Sequence, residues 1–247
     1  MTNPITSTAS DAEIVGLPEN QVHVWFLPLD GLHGTDIGSD EITLSPEEER
    51  QANDFVVEAD RQTYLTYRRA LRGVLGFYTG LNPATLPFSE TPEGKPYLDG
   101  HAIEFNVSHT KKNALIAITR SRAVGIDVEE IQLDFPHLET ANSHFSAGET
   151  EWLRSLPENA RARAFLRLWC ARQAALKATG TGRTETANDV TVDLARNYAH
   201  LHQTSSATPT RVHLQEIHLG PESVAYLAHL GATPLEVSIH DFRRIAE

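Results

Sequence analysis

Two acids and a lysine are the residues of this chain best set for chemistry. Asp127 and Glu129 sit in Val124-Gly125-Ile126-Asp127-Val128-Glu129, an otherwise apolar run. Read as a strand, the run turns both carboxylates to one face, because side chains alternate with period two. Two oxygen donors on one face suit a hard cation such as Mg²⁺. The same pair also fits a strand end with solvent-facing acids, and Glu130 directly after them interrupts the alternation. Further on, Trp169-Cys170-Ala171-Arg172-Gln173-Ala174-Ala175-Leu176-Lys177 reads as a helix. Its i, i+4 spacing puts Trp169, Gln173 and Lys177 on one face. A cation beside a lysine is a setting for phosphate chemistry. Gln173 is the unusual member, an amide where a third carboxylate is expected.

Other polar residues carry two readings each. Lys95 lies in Gly94-Lys95-Pro96, which presents a lysine on a turn or is simply a turn. His109 ends Phe105-Asn106-Val107-Ser108-His109, either a ligand-facing histidine or a capped core residue at a strand end. Asn106-Val107-Ser108 has the form of a glycosylation acceptor, a chance match in a chain with no secretory signal. Arg61, Arg68, Arg69 and Arg72, then Lys111 and Lys112, group the scarce basic residues. They make a local patch for a small anion or for an acidic partner, or else a solvated helix face. The twelve histidines include no HExxH spacing, His200 and His202 falling in a polar stretch, so zinc is not expected.

The elements that must position these residues follow from patterning. Val22 to Leu29 alternates as a first strand. Ser45-Pro46-Glu47-Glu48-Glu49 is a helix start, with Ser45 as N-cap and Pro46 at the first helical position. Helical character continues to about Gly80, with a break expected near Asp60. Strands are expected at Ile103–Val107, Asn113–Thr119 and Val124–Glu129, with a turn at 121–123. Ser146 caps a second helix, and a longer one covers Ala160–Thr179 until Gly180-Thr181-Gly182 stops it. Beyond Val190 the chain reads as short strands, such as Arg211–Leu219 and Ser223–His229. The first twenty residues are polar and read as loosely attached. This predicts an α+β protein of two halves, 21–120 and 124–247, each a small antiparallel sheet with a packed helix. No sequence repeat between the halves is evident.

Bulk properties narrow the partners. The 247 residues hold 40% hydrophobic and 22% charged side chains, an ordinary balance for a globular chain with a real core. The net charge of -12 argues against broad binding to nucleic acid or anionic membrane. No apolar stretch approaches the ~20 residues of a membrane span. One cysteine, Cys170, excludes an internal disulfide framework. The simplest compartment is the cytosol.

Taken in order, Gly94-Lys95-Pro96-Tyr97-Leu98, Phe105 to His109, Val124 to Glu129 and Trp169 to Gly180 resemble the Sfp-type 4′-phosphopantetheinyl transferases. The resemblance runs from about Leu44 to Gly182. Enzymes of this family move the phosphopantetheine arm of coenzyme A onto a serine of a carrier protein. It implies two similar, pseudo-symmetric α+β halves with coenzyme A and Mg²⁺ between them. It implies Asp127, Glu129 and the position of Gln173 as Mg²⁺ ligands, and Lys95, Ser108 and His109 as contacts to the coenzyme A phosphates. Arg61 matches a family arginine at the nucleotide end. Lys177 faces the pyrophosphate, and Gln173, Lys177 and His109 stand at the reacting groups.

Two departures bear on that expectation. Position 173 is a glutamate in the family, a metal ligand and proposed base. Gln173 ligates only through a neutral carbonyl oxygen and takes no proton near neutral pH. Arg172 replaces a family lysine and keeps its charge. The first helix has Glu48, Glu49, Arg50 and Gln51 where some members carry lysines, so the 3′-phosphate would need other partners. A coenzyme A-binding or carrier-binding protein with little turnover is therefore the alternative to a transferase. The carrier, whether acyl or peptidyl, is open; a chain that builds both halves of its cleft is expected to be a monomer.

Overall fold

A strand that is apolar on both faces needs cover on both sides, and several strands of this chain read that way. A computed structural model describes residues 16–29, 44–120, 122–181, 189–202 and 209–242. In chain order the strands and α-helices are β1 (Gln21–Pro28), α1 (Pro46–Asn53), α2 (Glu58–Thr79), β2 (Phe88–Glu90), β3 (Pro96–Leu98), β4 (Ile103–His109), β5 (Asn113–Arg120) and β6 (Val124–Glu130). They continue with α3 (His137–His144), α4 (Ala147–Ser155), α5 (Glu158–Thr179), β7 (Val190–Asp193), β8 (Tyr198–Leu201), β9 (Thr210–Ile217), β10 (Ser223–His229) and β11 (Glu236–Asp241). The α+β expectation holds. No helix among the described residues is long and apolar enough to cross a membrane.

One sheet runs β11-β1-β5-β4, a second runs β6-β10-β9-β8-β7, and β2 pairs with β3 as a hairpin. Helix α2 covers one face of the first sheet, where Trp25, Leu27, Phe105 and Ile116 meet Leu71, Val74 and Tyr78. Helix α5 covers the second, where Val212, Val224 and Tyr226 meet Phe165, Ala171 and Ala175. The remaining faces pack on each other: Val22, Val24, Leu115 and Ala117 against Val124, Ile126, Ala225 and Leu227. Alternation thus sends Asp127 and Glu129 toward α5 while their neighbours fill the core between the sheets.

Three expectations are corrected. The helical break falls at 54–57 rather than near Asp60, where exposed Phe55, Val56 and Val57 leave the helix and Val57 adopts an extended N-cap conformation. Helix α3 was not foreseen in the stretch before Ser146, which has a weak apolar period. And β11 leaves the second half to pair in parallel with β1, Gln21 opposite Glu236 and Phe26 opposite Asp241. The boundary 124–247 therefore does not follow the sheets, and the first sheet is not wholly antiparallel. Leu235, buried between the sheets, anchors this crossover. The calls on residues 1–15, Ser121 and Gly182 lie outside the described residues.

Both halves repeat one construction that the sequence hides. In α1, Ser45 and Glu48 form a capping box, and the buried Glu48 carboxylate receives Arg72 Nε at 2.7 Å and the Arg68 guanidinium from α2. In α4, Ser146 and Glu149 form the second capping box, and Glu149 receives Arg172 from α5 at 3.0 Å. Each arginine also lies over a phenylalanine ring, Arg72 on Phe88 and Arg172 on Phe145. Helices α2 and α5 both have 22 residues and end at a left-handed glycine, Gly80 and Gly180. Few side chains besides these repeat, so identity between the halves is too low to read by eye.

Neutral histidines fasten β11. Trp25 Nε1 donates to Tyr78 Oη at 3.1 Å, which leaves the Tyr78 hydroxyl to donate to His23 Nδ1 at 2.6 Å. His240 of β11 packs on His23 and stacks on Trp25, with ring centroids 4.5 and 4.8 Å away. Burial, with His240 adding to it, lowers the His23 pKa to about 4. The unfolded chain then binds this proton first, so stability is lost as pH falls below the ordinary histidine value of 6.5 toward 4. Relative to His23→Gln, the parent should lose unfolding free energy across that window in urea melts. Parallel pH profiles for the two proteins would contradict the assignment.

Packing of α5 on β6 sets a second test. A Cβ on Gly125 would lie 2.1 Å from the Ala174 carbonyl oxygen and 2.4 Å from the Ala178 nitrogen. Both are backbone atoms, so Gly125→Ala must push the helix off the strand. Overpacking of this kind costs about 1–3 kcal/mol or more. The variant should unfold at lower urea concentration than the parent, and a melt unchanged from the parent would show that α5 does not press on β6.

Candidate active site

Strand β6 is the edge of its sheet, bound to β10 on one side only. An open edge leaves backbone donors and acceptors that must be paired or solvated. Here side chains pair them. Asn106 Oδ1 accepts from the Ile126 N–H at 2.9 Å, and Ser108 Oγ accepts from the Val128 N–H at 3.3 Å. Lys95 Nζ donates to the Val124 carbonyl at 3.2 Å, and Lys177 Nζ to the Ile126 carbonyl at 3.0 Å. Asn106 and Ser108 come from β4, Lys95 from the β2–β3 hairpin and Lys177 from α5. The seam between the two sheets is thus closed by four side chains in place of a strand.

The acids lie on the α5 side of this seam. Asp127 is 5% exposed; its Oδ1 accepts from Lys177 Nζ at 2.7 Å and from Ser108 Oγ at 3.2 Å. Its Oδ2 is buried without a hydrogen-bond partner. The Cys170 thiol donates to the Val224 carbonyl at 3.4 Å and also lies near enough to the Asp127 carboxylate to favour its charged form. Burial pushes the Asp127 carboxyl up, and Lys177 and Ser108 oppose that. Burial and the Asp127 charge together raise Glu129 to about 6, against the favourable influence of Lys177 and the Trp169 indole.

A cleft of about 340 Å³ opens beside them, lined by Lys95, Asn106, Gln173, Lys177 and Gly180 among others. One turn earlier along α5, an aromatic cavity of about 230 Å³ adjoins Glu129 and is lined by Phe135, Phe165 and Trp169. The sequence-based face of Trp169, Gln173 and Lys177 is therefore the wall of this region.

The donor set fits a hard cation in part. Two adjacent carboxylates with raised pKa values and an orphaned buried oxygen are what a bound cation would relieve. Among the described residues no group of three His, Cys, Asp or Glu side chains is placed to hold a metal ion. Gln173, for which the described residues provide no side-chain hydrogen bond, lines the cleft.

The remaining expected residues divide. His109 is exposed at the edge, its ring stacked on Tyr67 at 4.3 Å rather than capped in the core. Burial lowers its pKa, the Lys177 charge adds to this, and Thr110 and Asp60 oppose it. Lys95 reaches the cleft, but its ammonium also donates to the Ala178 carbonyl at 3.3 Å, at the end of α5. Burial lowers its pKa. Ser108 is buried and turned to Asp127. Arg61 does not line the cleft and pairs with Glu58 at 3.2 Å. Arg68 and Arg72 belong to the Glu48 strut, and Arg172 to the Glu149 strut, so none of the three is a free cation at the site. Asn106 was not singled out in the sequence. Its place two residues before Ser108 on one strand face is the signal that could have found it.

Comparison with known proteins places the chain in a family. A family model described as the 4′-phosphopantetheinyl transferase superfamily matches residues 123–228, and one described as 4′-phosphopantetheinyl transferase, N-terminal, matches residues 40–121. The 4′-phosphopantetheinyl transferase HetI of Nostoc sp. is 36% identical over 172 residues, covering 67% of this chain and 71% of that protein. A putative 4′-phosphopantetheinyl transferase of Synechocystis sp. is 34% identical, covering 72% and 71%. The 4′-phosphopantetheinyl transferase Sfp of Bacillus subtilis is 25% identical, covering 75% and 83%. The two family models together match residues 40–121 and 123–228, and the chain belongs to the 4′-phosphopantetheinyl transferase superfamily.

Proposed function

We propose that this protein transfers the 4′-phosphopantetheine arm of coenzyme A to a serine of an acyl or peptidyl carrier protein. The observation that carries the reading is the pairing of Lys177 on α5 with Asp127 on β6, beside Glu129, at the wall of the cleft. In the reaction the carrier serine oxygen bonds to the phosphorus that bears pantetheine. The bond from that phosphorus to the bridging oxygen breaks, adenosine 3′,5′-bisphosphate leaves with the electron pair, and the serine proton passes to solvent water, since Gln173 accepts none. Lys177, already at the cleft, supplies positive charge where the leaving oxygens gain negative charge. His109, at the edge of the seam, offers a ring N–H to a phosphate oxygen. The aromatic cavity beside Glu129 gives the uncharged pantetheine arm an apolar wall. Asp127, Glu129 and the Gln173 carbonyl would hold Mg²⁺, which when bound neutralises pyrophosphate charge.

Gln173 favours a second reading, a coenzyme A-binding protein with slow turnover. An amide adds no negative charge to the cation site and accepts no proton from the serine. Transfer is measured as a carrier mass gain of one phosphopantetheine, with coenzyme A and Mg²⁺ supplied. The transferase reading predicts that gain for the parent and none for Asp127→Ala. Coenzyme A binding by titration with no mass gain on any acyl or peptidyl carrier would select the second reading.

General-base assistance is worth roughly 10²–10⁴-fold. Gln173→Glu should therefore raise the single-turnover rate by about that range and tighten Mg²⁺. A parent that is already fast, with no gain on substitution, would show that position 173 supplies no base in this protein.

A further inference from the structure

We propose that Tyr67 is a positioning residue for His109, its ring holding the imidazole at the edge of the seam to meet the coenzyme A phosphates. The proposal rests on the reading of His109 as a phosphate contact.

Alternation divides the side chains of β4 between two tasks. Asn106 and Ser108 turn to the β6 edge and bond it. Phe105, Val107 and His109 turn the other way, toward α2. Phe105 and Val107 belong to the core that α2 covers. His109 is the last residue of the strand and is exposed. An exposed side chain at a strand end samples several rotamers, and fixing it on a ligand weakens binding.

Tyr67 removes that freedom in advance. On α2, Tyr67, Leu71, Val74 and Tyr78 follow at spacings of four, three and four, a single apolar stripe. Tyr67 is the first member of the stripe, and its ring stacks on His109 with centroids 4.3 Å apart and planes inclined by 25°. The tyrosine is itself held. It packs against the Leu71 and Val74 cluster and against the Leu44, Ala52 and Leu65 cluster, and Tyr64 meets its ring edge-on at 5.5 Å. Stacking takes one face of the imidazole and neither of its nitrogens, so a ring nitrogen stays open to a phosphate oxygen. Lys177 lies close enough for its charge to act on the same ring. Helix α2 thus serves the site through a ring, while Arg61, Arg68 and Arg72 of the same helix are paired with Glu58 and Glu48.

The test couples the two residues. Coenzyme A binding to the full chain is measured by calorimetry in EDTA. Tyr67→Leu should weaken it about three- to tenfold, the range that ordering one side chain spans. Tyr67→Phe, which keeps the ring, should bind as the parent does. In a His109→Ala background Tyr67→Leu should cost nothing further, since the residue it positions is gone. By NMR the His109 ring protons should lie upfield, shifted by the Tyr67 ring, in the parent and in Tyr67→Phe, with coenzyme A bound as well as free. They should return to ordinary values in Tyr67→Leu. Tyr67→Met, which fills the space without a ring, gives the same readouts if the leucine protein does not fold. No loss of affinity in Tyr67→Leu, an equal loss in both backgrounds, or ring protons that leave the upfield position when coenzyme A binds would each overturn the proposal. His109→Ala is the control for the underlying reading. If it binds coenzyme A as tightly as the parent, His109 is not a phosphate contact and the role of Tyr67 falls with it. If His109→Ala weakens binding and Tyr67→Leu does not, the reading stands and the Tyr67 proposal alone fails.

Discussion

The open edge of β6 is the constraint on which the site depends. A strand bound on one side only must satisfy its other side, and a buried N–H or C=O left unpaired costs about 1–3 kcal/mol. In this protein four of the groups on that edge are met by Lys95, Asn106, Ser108 and Lys177. Each comes from a different place in the chain or from the facing sheet. One solution therefore does three things. It joins the two sheets, closes one wall of the cleft, and brings a lysine and a serine to Asp127. A further strand would have joined the sheets but would have supplied no side chain to the carboxylate.

The repeated Glu–Arg strut shows how the halves can share a frame and differ in chemistry. Glu48 with Arg72 and Glu149 with Arg172 hold each long helix on its sheet by the same buried pair. Burying one partner of such a pair without the other costs several kcal/mol, so the two residues must remain together. Outside the struts the helix faces diverge. Helix α5 sets Lys177 against Asp127, whereas the matching contact of α2 sets Phe77 and Tyr78 against Trp25. The first half builds an aromatic core at the place where the second builds a charged site. Gly125 makes that charged site possible, because only a residue without Cβ lets the α5 backbone approach β6 so closely.

What the sequence revealed followed short-range physics. Ser45 and Ser146 are caps because each stands three residues before a glutamate, and both boxes form. Gly180 ends α5 in the left-handed region as expected. The same-face placement of Asp127 and Glu129 followed from period two. What it did not reveal depended on distant partners. Arg172, read only as keeping the charge of a family lysine, is a core strut, since Glu149 lies 23 positions earlier in the chain. Lys95 and Ser108, which the resemblance implies as phosphate contacts, also bond a strand edge that sequence cannot show. The crossing of β11 to the first sheet is a tertiary choice, visible only once Leu235 is seen buried between the sheets.

The central claim is that side chains from β4 close the β6 edge and thereby hold the site together. Residue-resolved amide exchange at Ile126 and Val128 tests it most directly, in the parent and in Asn106→Ala. The account predicts strong protection of both amides in the parent. It predicts loss of protection at Ile126 in the variant, with slowed phosphopantetheine transfer measured in parallel. Ile126 exchanging at the same slow rate in both proteins would contradict the account, because its N–H would then have a partner other than Asn106.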